Sequence, residues 1–100
     1  MEKRKPHYDL VEIQGEVARL GAAAFTKAAM DGGRAMGLTT AEMLAVIASV
    51  TRRNFYKAMT SFGDHRVWQD VYHAPTPLRK EAYIKITLRG HGPVIQFKEK

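Results

Sequence analysis

From Leu10 onward the apolar side chains fall at steps of three and four, at Leu10, Ile13, Val17 and Leu20, with Glu12, Glu16 and Arg19 between them. That spacing keeps one side of a helix apolar and predicts an amphipathic helix ending near Gly21. A second helix is expected to start after Thr26 and stop at Gly37, although Gly32 and Gly33 in its middle each weaken it by roughly 1 kcal/mol relative to alanine. The third is better marked. Thr39 and Glu42 stand at capping-box spacing, and Met43, Leu44, Ile47 and Val50 form its apolar stripe. Thr51 then offers a fresh N-cap, so a short turn of helix carrying Phe55, Tyr56, Lys57 and Met59 is expected next.

After Gly63 the period changes to two. Val67 to Tyr72, Ala82 to Leu88 and Val94 to Lys98 read as strands, rich in β-branched and aromatic residues. Between the first two, the stretch His73 to Lys80 holds two prolines and is expected to be a loop. The last two strands read as a hairpin closed at Gly90-His91. With glycine first, as a type II′ turn prefers, Ile84 faces Phe97 and Ile86 faces Ile95, a coherent apolar face. The other face then carries Tyr83 opposite Lys98 and Lys85 opposite Gln96. The expectation is an α+β fold, a single domain over residues 1–100, with N-terminal helices packed on a small C-terminal antiparallel sheet.

One hundred residues leave room for one modest core. Apolar residues make up 45% and charged residues 26%, enough to fill that core, so disorder is not expected. There is no cysteine, which removes disulfide scaffolds and thiolate zinc sites, and the four histidines are scattered, so no metal site is expected. No apolar run reaches signal-peptide or membrane-spanning length, and the chain reads as cytoplasmic, with no membrane partner.

Charge is unevenly placed. Residues 1–50 carry six basic and six acidic side chains, whereas residues 51–100 carry ten basic and four acidic, so the whole excess of +6 lies in the second half. A compact half-domain of that charge attracts polyanions, foremost nucleic acids. Helices joined by a tight glycine-containing turn mimic a helix-turn-helix reader of DNA, but the third helix has almost no Arg, Lys, Asn or Gln with which to read bases.

No strong catalytic motif is present: no phosphate-binding glycine loop, no GxSxG and no HExxH. Asp64-His65 offers a base with a carboxylate beside it, but neighbours on one strand point to opposite faces. What remains is Lys57, Tyr83, Lys85 and Lys98, with Gln69 near them in pattern. Such a set suits RNA cleavage by its own 2′-hydroxyl, which needs proton acceptors and donors and cations around a dianionic phosphorane, but no protein nucleophile. Close ammonium groups lower one another's pKa and stabilise a nearby phenolate. Tyr56, Trp68 and Tyr72 offer stacking surfaces for unpaired bases.

The run Phe55-Tyr56-Lys57-Ala58-Met59-Thr60, continued by Gly63-Asp64-His65 and Val67-Trp68-Gln69-Asp70-Val71-Tyr72, resembles the signature of the MqsR family, the motility quorum-sensing regulator toxins of bacteria. The opening Met1-Glu2-Lys3-Arg4 with Pro6-His7, the strand Tyr83 to Thr87 and the ending Phe97 to Lys100 resemble it too. The resemblance implies a RelE-like α+β fold and the toxin of a type II toxin–antitoxin pair that cleaves messenger RNA. It also implies a partner, an MqsA-like antitoxin with a zinc-binding domain and a helix-turn-helix domain, which alone holds the zinc and binds operator DNA.

By position, the family's catalytic lysine falls on Lys57, its strand glutamine on Gln69, its strand tyrosine on Tyr83 and its near-terminal lysine on Lys98. Period two puts Gln69 on the face of Val67 and Val71, which alone describes a half-buried structural amide. Tyr56, His73 and Lys85 are expected RNA contacts, His73 with a pH-dependent contribution because arginine suits phosphate better there. The segment 22–34 departs from the family pattern, and His7 lies in a matched motif without an assigned role.

The leading expectation is therefore a metal-independent endoribonuclease toxin that needs no cofactor. Its alternative is a non-catalytic basic nucleic-acid-binding or regulatory module acting mainly through its antitoxin complex, for which an exposed sheet edge is a reasonable docking place.

Overall fold

The computed structural model describes residues 1–100. A two-residue strand β1 (Glu2–Lys3) is followed by helices α1 (Leu10–Leu20), α2 (Lys27–Ala35) and α3 (Thr40–Ser49), then by strands β2 (Phe55–Thr60), β3 (Trp68–Pro75), β4 (Glu81–Arg89) and β5 (Gly92–Glu99). Each helix begins where its side chains answer the unpaired N–H groups of a first turn. The Asp9 carboxylate accepts from Glu12 N at 3.1 Å and Thr26 Oγ1 from Ala29 N at 3.0 Å. At α3 the capping box closes in both directions: Glu42 N donates to Thr39 Oγ1 at 3.1 Å, and Thr39 N donates to Glu42 Oε1 at 2.8 Å.

The strands form one antiparallel sheet in the order β1-β2-β3-β4-β5. Tyr72, Ala74, Ala82, Ile84, Ile86, Ile95 and Phe97 are buried on its helix-facing side, in one cluster with Ile13 and Val17 of α1 and Met43, Val46 and Ile47 of α3. Burial of a large apolar side chain contributes roughly 1.5–3 kcal/mol, so this cluster is the main source of stability. The hairpin register matches the alternation in the sequence, with Ile84 opposite Phe97, Ile86 opposite Ile95 and Tyr83 opposite Lys98.

The two glycines of α2 have a packing purpose that helix propensity hides. A Cβ on Gly32 would collide with the Phe97 carbonyl oxygen, and one on Gly33 with the Met43 side chain. The helix thus lies against the outer edge of β5, where Thr26 N also donates to Ile95 O at 3.1 Å and Phe25 forms a parallel bridge with Ile95. That edge is covered, which leaves β1 as the outer strand on the other side.

Three local expectations are corrected. Thr51 does cap a turn, its N–H donating to Asn54 Oδ1 at 2.8 Å, but only the 3₁₀ turn Arg52–Asn54 follows, and Phe55–Thr60 is extended. Pairing with both β1 and β3 outweighs one isolated turn of helix, whose nucleation is costly. His73, Ala74 and Pro75 belong to β3 rather than to a loop. β2 pairs no further than Tyr72, so Pro75 lies beyond the doubly paired part of the strand. Asp64 and His65 sit in the β2–β3 connection, where Asp64 accepts from the Arg66 backbone and guanidinium.

Candidate active site

The sheet face turned away from the helices gathers Tyr56, Lys57, Gln69, His73, Tyr83, Lys85 and Lys98, and a β-bulge in β2 is the reason Lys57 joins them. Phe55 pairs with Tyr72, but Lys57 pairs with Val71, so Tyr56 is the extra residue. Simple alternation would put Lys57 on the side of Phe55, which packs against the core. The bulge turns Lys57 to the outer face instead, as bulges beside functional sites do.

Two rungs of side chains result. One runs across the sheet through Lys57, Val71, Lys85 and Gln96. Val71 is 0% exposed although it lies on the outer face, paired with Lys57 on one side and Lys85 on the other. The next rung carries His73, Tyr83 and Lys98. Tyr56 stacks on His73 with ring centroids 4.5 Å apart and planes at 24°, and Tyr83 is tilted against the same imidazole at 5.5 Å. Lys98 Nζ lies 5.4 Å from the Tyr83 ring centroid, and Lys57 Nζ 5.5 Å from that of Tyr56. Gln69, half-buried, sits on the same face as Val71 and is diagonal to Lys57, since its partner on β2 is Met59.

Electrostatics follow from the neighbours. Lys57 Nζ donates to Glu2 Oε2 at 2.8 Å. That hydrogen bond raises the lysine above its ordinary pKa against the opposing effect of burial, and it lowers the glutamate. Lys57 is therefore a cation before substrate arrives. His73 is shifted down, first by burial and then by the charge of Lys100, while Glu81 pulls the other way. Its Nε2 is buried without a hydrogen-bond partner. On the core face, burial and the charge of Asp70 push the Tyr72 phenol up to about 12, so Tyr72 is neither on this surface nor a ready proton source. Trp68 likewise lies off the platform, stacked on His7 at 5.2 Å with Lys3 Nζ 4.2 Å from its ring centroid.

Sequence reasoning missed the contribution of the N-terminus. Glu2, Lys3 and Arg4 join Tyr56 and Lys57 around a cavity of about 150 Å³. The buried carboxylate of Asp70 fixes this segment by accepting from His7 N and Tyr8 N, each at 2.9 Å, and Tyr8 Oη donates to Trp68 O at 2.8 Å. The only signal in the sequence was the charged opening itself, far from its partners along the chain.

Three ammonium groups, a phenol and a stacked aromatic pair on one open face can hold a phosphodiester, neutralise charge that develops on it and exchange protons with its oxygens. Comparison with known proteins shows what the chain is similar to. A family model described as motility quorum-sensing regulator, toxin of MqsA, matches residues 5–99. The mRNA interferase toxin MqsR of Escherichia coli (strain K12) is 36% identical over 100 residues, an alignment that covers 100% of both chains.

Proposed function

The chain belongs to the family of motility quorum-sensing regulator toxins, and we propose that it is the toxin of a toxin–antitoxin pair, an endoribonuclease that cuts messenger RNA without a metal ion. The observation that carries this reading is the bulge at Tyr56, which sets Lys57 on one face with Tyr83, Lys85 and Lys98.

In the proposed reaction the 2′-hydroxyl oxygen of one nucleotide attacks its own phosphorus. The phosphorus–5′-oxygen bond breaks, leaving a 2′,3′-cyclic phosphate and a 5′-hydroxyl. Lys57, Tyr83 and Lys98 share proton transfer and neutralise the phosphorane, and Gln69 positions the phosphate or the 2′-hydroxyl. Lys57, held protonated by Glu2, enters as a cation. Lys85 holds the backbone by charge, and the Tyr56–His73 stack receives an unpaired base. The substrate supplies the nucleophile, so so small a fold suffices.

The family description supports an MqsA-like antitoxin as partner. We propose that this partner carries the zinc-binding and helix-turn-helix parts and that operator DNA is reached only through it. No helix is long and apolar enough to cross a membrane, and the proposed messenger RNA substrate supports a cytoplasmic place of work.

The test is incubation of the purified protein with single-stranded RNA in EDTA. Shortened RNA with 2′,3′-cyclic or 3′-phosphate ends is expected. Intact RNA, or cleavage abolished by the chelator, refutes the mechanism and favours a non-catalytic module or a metal-dependent one.

A further inference from the structure

α2 stands as a wall along one side of the cationic face, because Gly32 lets its backbone press against Phe97 and Lys98 of β5. Between wall and sheet lies an open cavity of about 140 Å³, with Ala28 and Ala29 on the helix side and Tyr83, Lys85, Gln96 and Lys98 on the sheet side. Three of these are residues of the ribonuclease site, so whatever fills the cavity lies next to the reacting phosphate.

The chemistry of the lining is divided. The exposed Ala28 methyl and the Tyr83 phenol ring give apolar surface, and two ammonium groups stand beside them. Gln96 is exposed on this face, directly opposite Lys85, and brings an amide that both donates and accepts. A bare phosphate would use only the ammonium groups. A planar heterocycle attached to a phosphate backbone uses all of them: its face meets the apolar wall, its edge meets the amide, and its backbone meets the lysines.

We infer that this cavity receives one unpaired nucleobase of the RNA beside the scissile phosphate, and that Gln96 reads the hydrogen-bonding edge of that base. The inference rests on the ribonuclease reading above and adds to it a source of sequence preference. Gln96 takes no part in proton transfer, so its loss alters where the enzyme cuts rather than whether it cuts.

The experiment is digestion of a random-sequence single-stranded RNA pool by the wild-type protein, by Gln96→Ala and by Ala28→Leu, with sequencing of the cut ends. Wild type is expected to prefer one base at a position adjoining the cut. Gln96→Ala should reduce that preference about tenfold, the discrimination of one two-point amide–base contact, while total cleavage stays within about threefold. Ala28→Leu, which narrows the cavity from the opposite wall, should change preference at the same position. Unchanged preference at every position in Gln96→Ala overturns the inference, and so does a uniform loss of cleavage at all sites. A wild-type protein that leaves the pool intact refutes the ribonuclease reading instead, and the inference falls with it.

Discussion

Lys57 Nζ and Glu2 Oε2 lie 2.8 Å apart, so a carboxylate from the second residue of the chain pairs with the lysine that the β2 bulge turns to the outer face. In the proposed reaction a phosphate must displace that carboxylate before it can pair with Lys57. Removing the negative charge while keeping the shape, in Glu2→Gln, is predicted to lower KM for single-stranded RNA by roughly threefold, the scale of an exposed ion pair, with kcat little changed. Steady-state kinetics on a short RNA decide it, and an unaltered KM would mean that phosphate does not engage Lys57.

Asp70 holds the same segment from the opposite face of the sheet. Its side chain is 1% exposed and accepts two backbone N–H groups, those of His7 and Tyr8. Asp70→Ala leaves both donors unanswered and should cost about 3 kcal/mol, since hydrogen bonds to a charged group are the stronger kind. In urea unfolding the midpoint should fall with the slope unchanged. A variant as stable as wild type would show that the N-terminal clamp is not held by this carboxylate.

Gly32→Ala tests the fit of α2 against β5. Propensity alone says that alanine stabilises a helix interior by about 1 kcal/mol. The Phe97 carbonyl oxygen stands where the new Cβ would go, so the substitution is predicted to destabilise, with a lower thermal midpoint. A higher midpoint would contradict the close approach.

These residues also show what the sequence made legible. Thr39 with Glu42, and the register of the hairpin closed at Gly90-His91, are short-range features, and both came out as spacing predicts, but the expected type II′ turn did not: Gly90 does not take the positive φ it requires, and the positive φ falls on Gly92. Tyr83, Lys85 and Lys98 followed from that hairpin register, and Gln69 lies on the face of Val71 where alternation puts it. Lys57 was singled out, but its strand was not, because β2 exists only through pairing with β1 and β3 and its face is set by the bulge at Tyr56. Glu2 meets Lys57 across 55 positions, and no periodicity announces such a contact. The glycines of α2 looked like weaknesses because their partners, Phe97 and Met43, are equally remote.

The histidines give the fold a pH dependence. Burial, followed by the charge of Lys100, lowers His73, and burial, followed by Lys3, lowers His7. Because the folded values lie below the unfolded one near 6.5, the unfolded chain binds more protons in that range. The stability these groups contribute is full above about pH 6.5 and is lost as pH falls through the depressed folded values. The thermal midpoint should therefore drop between about pH 7.5 and about pH 5. His73→Phe, which keeps a ring between Tyr56 and Tyr83 and removes the unpartnered Nε2, should flatten that drop. An equal drop in the variant would assign the effect elsewhere.

The central claim is that Lys57 and Tyr83 do chemistry on RNA rather than merely hold it. The direct measurement is the single-turnover cleavage rate of a single-stranded RNA at saturating protein in EDTA, for wild type, Lys57→Ala and Tyr83→Phe. Each variant is predicted to lose about 10²- to 10⁴-fold, the range for a general acid or base, with its thermal midpoint little changed. Wild-type rates in both variants would contradict the account.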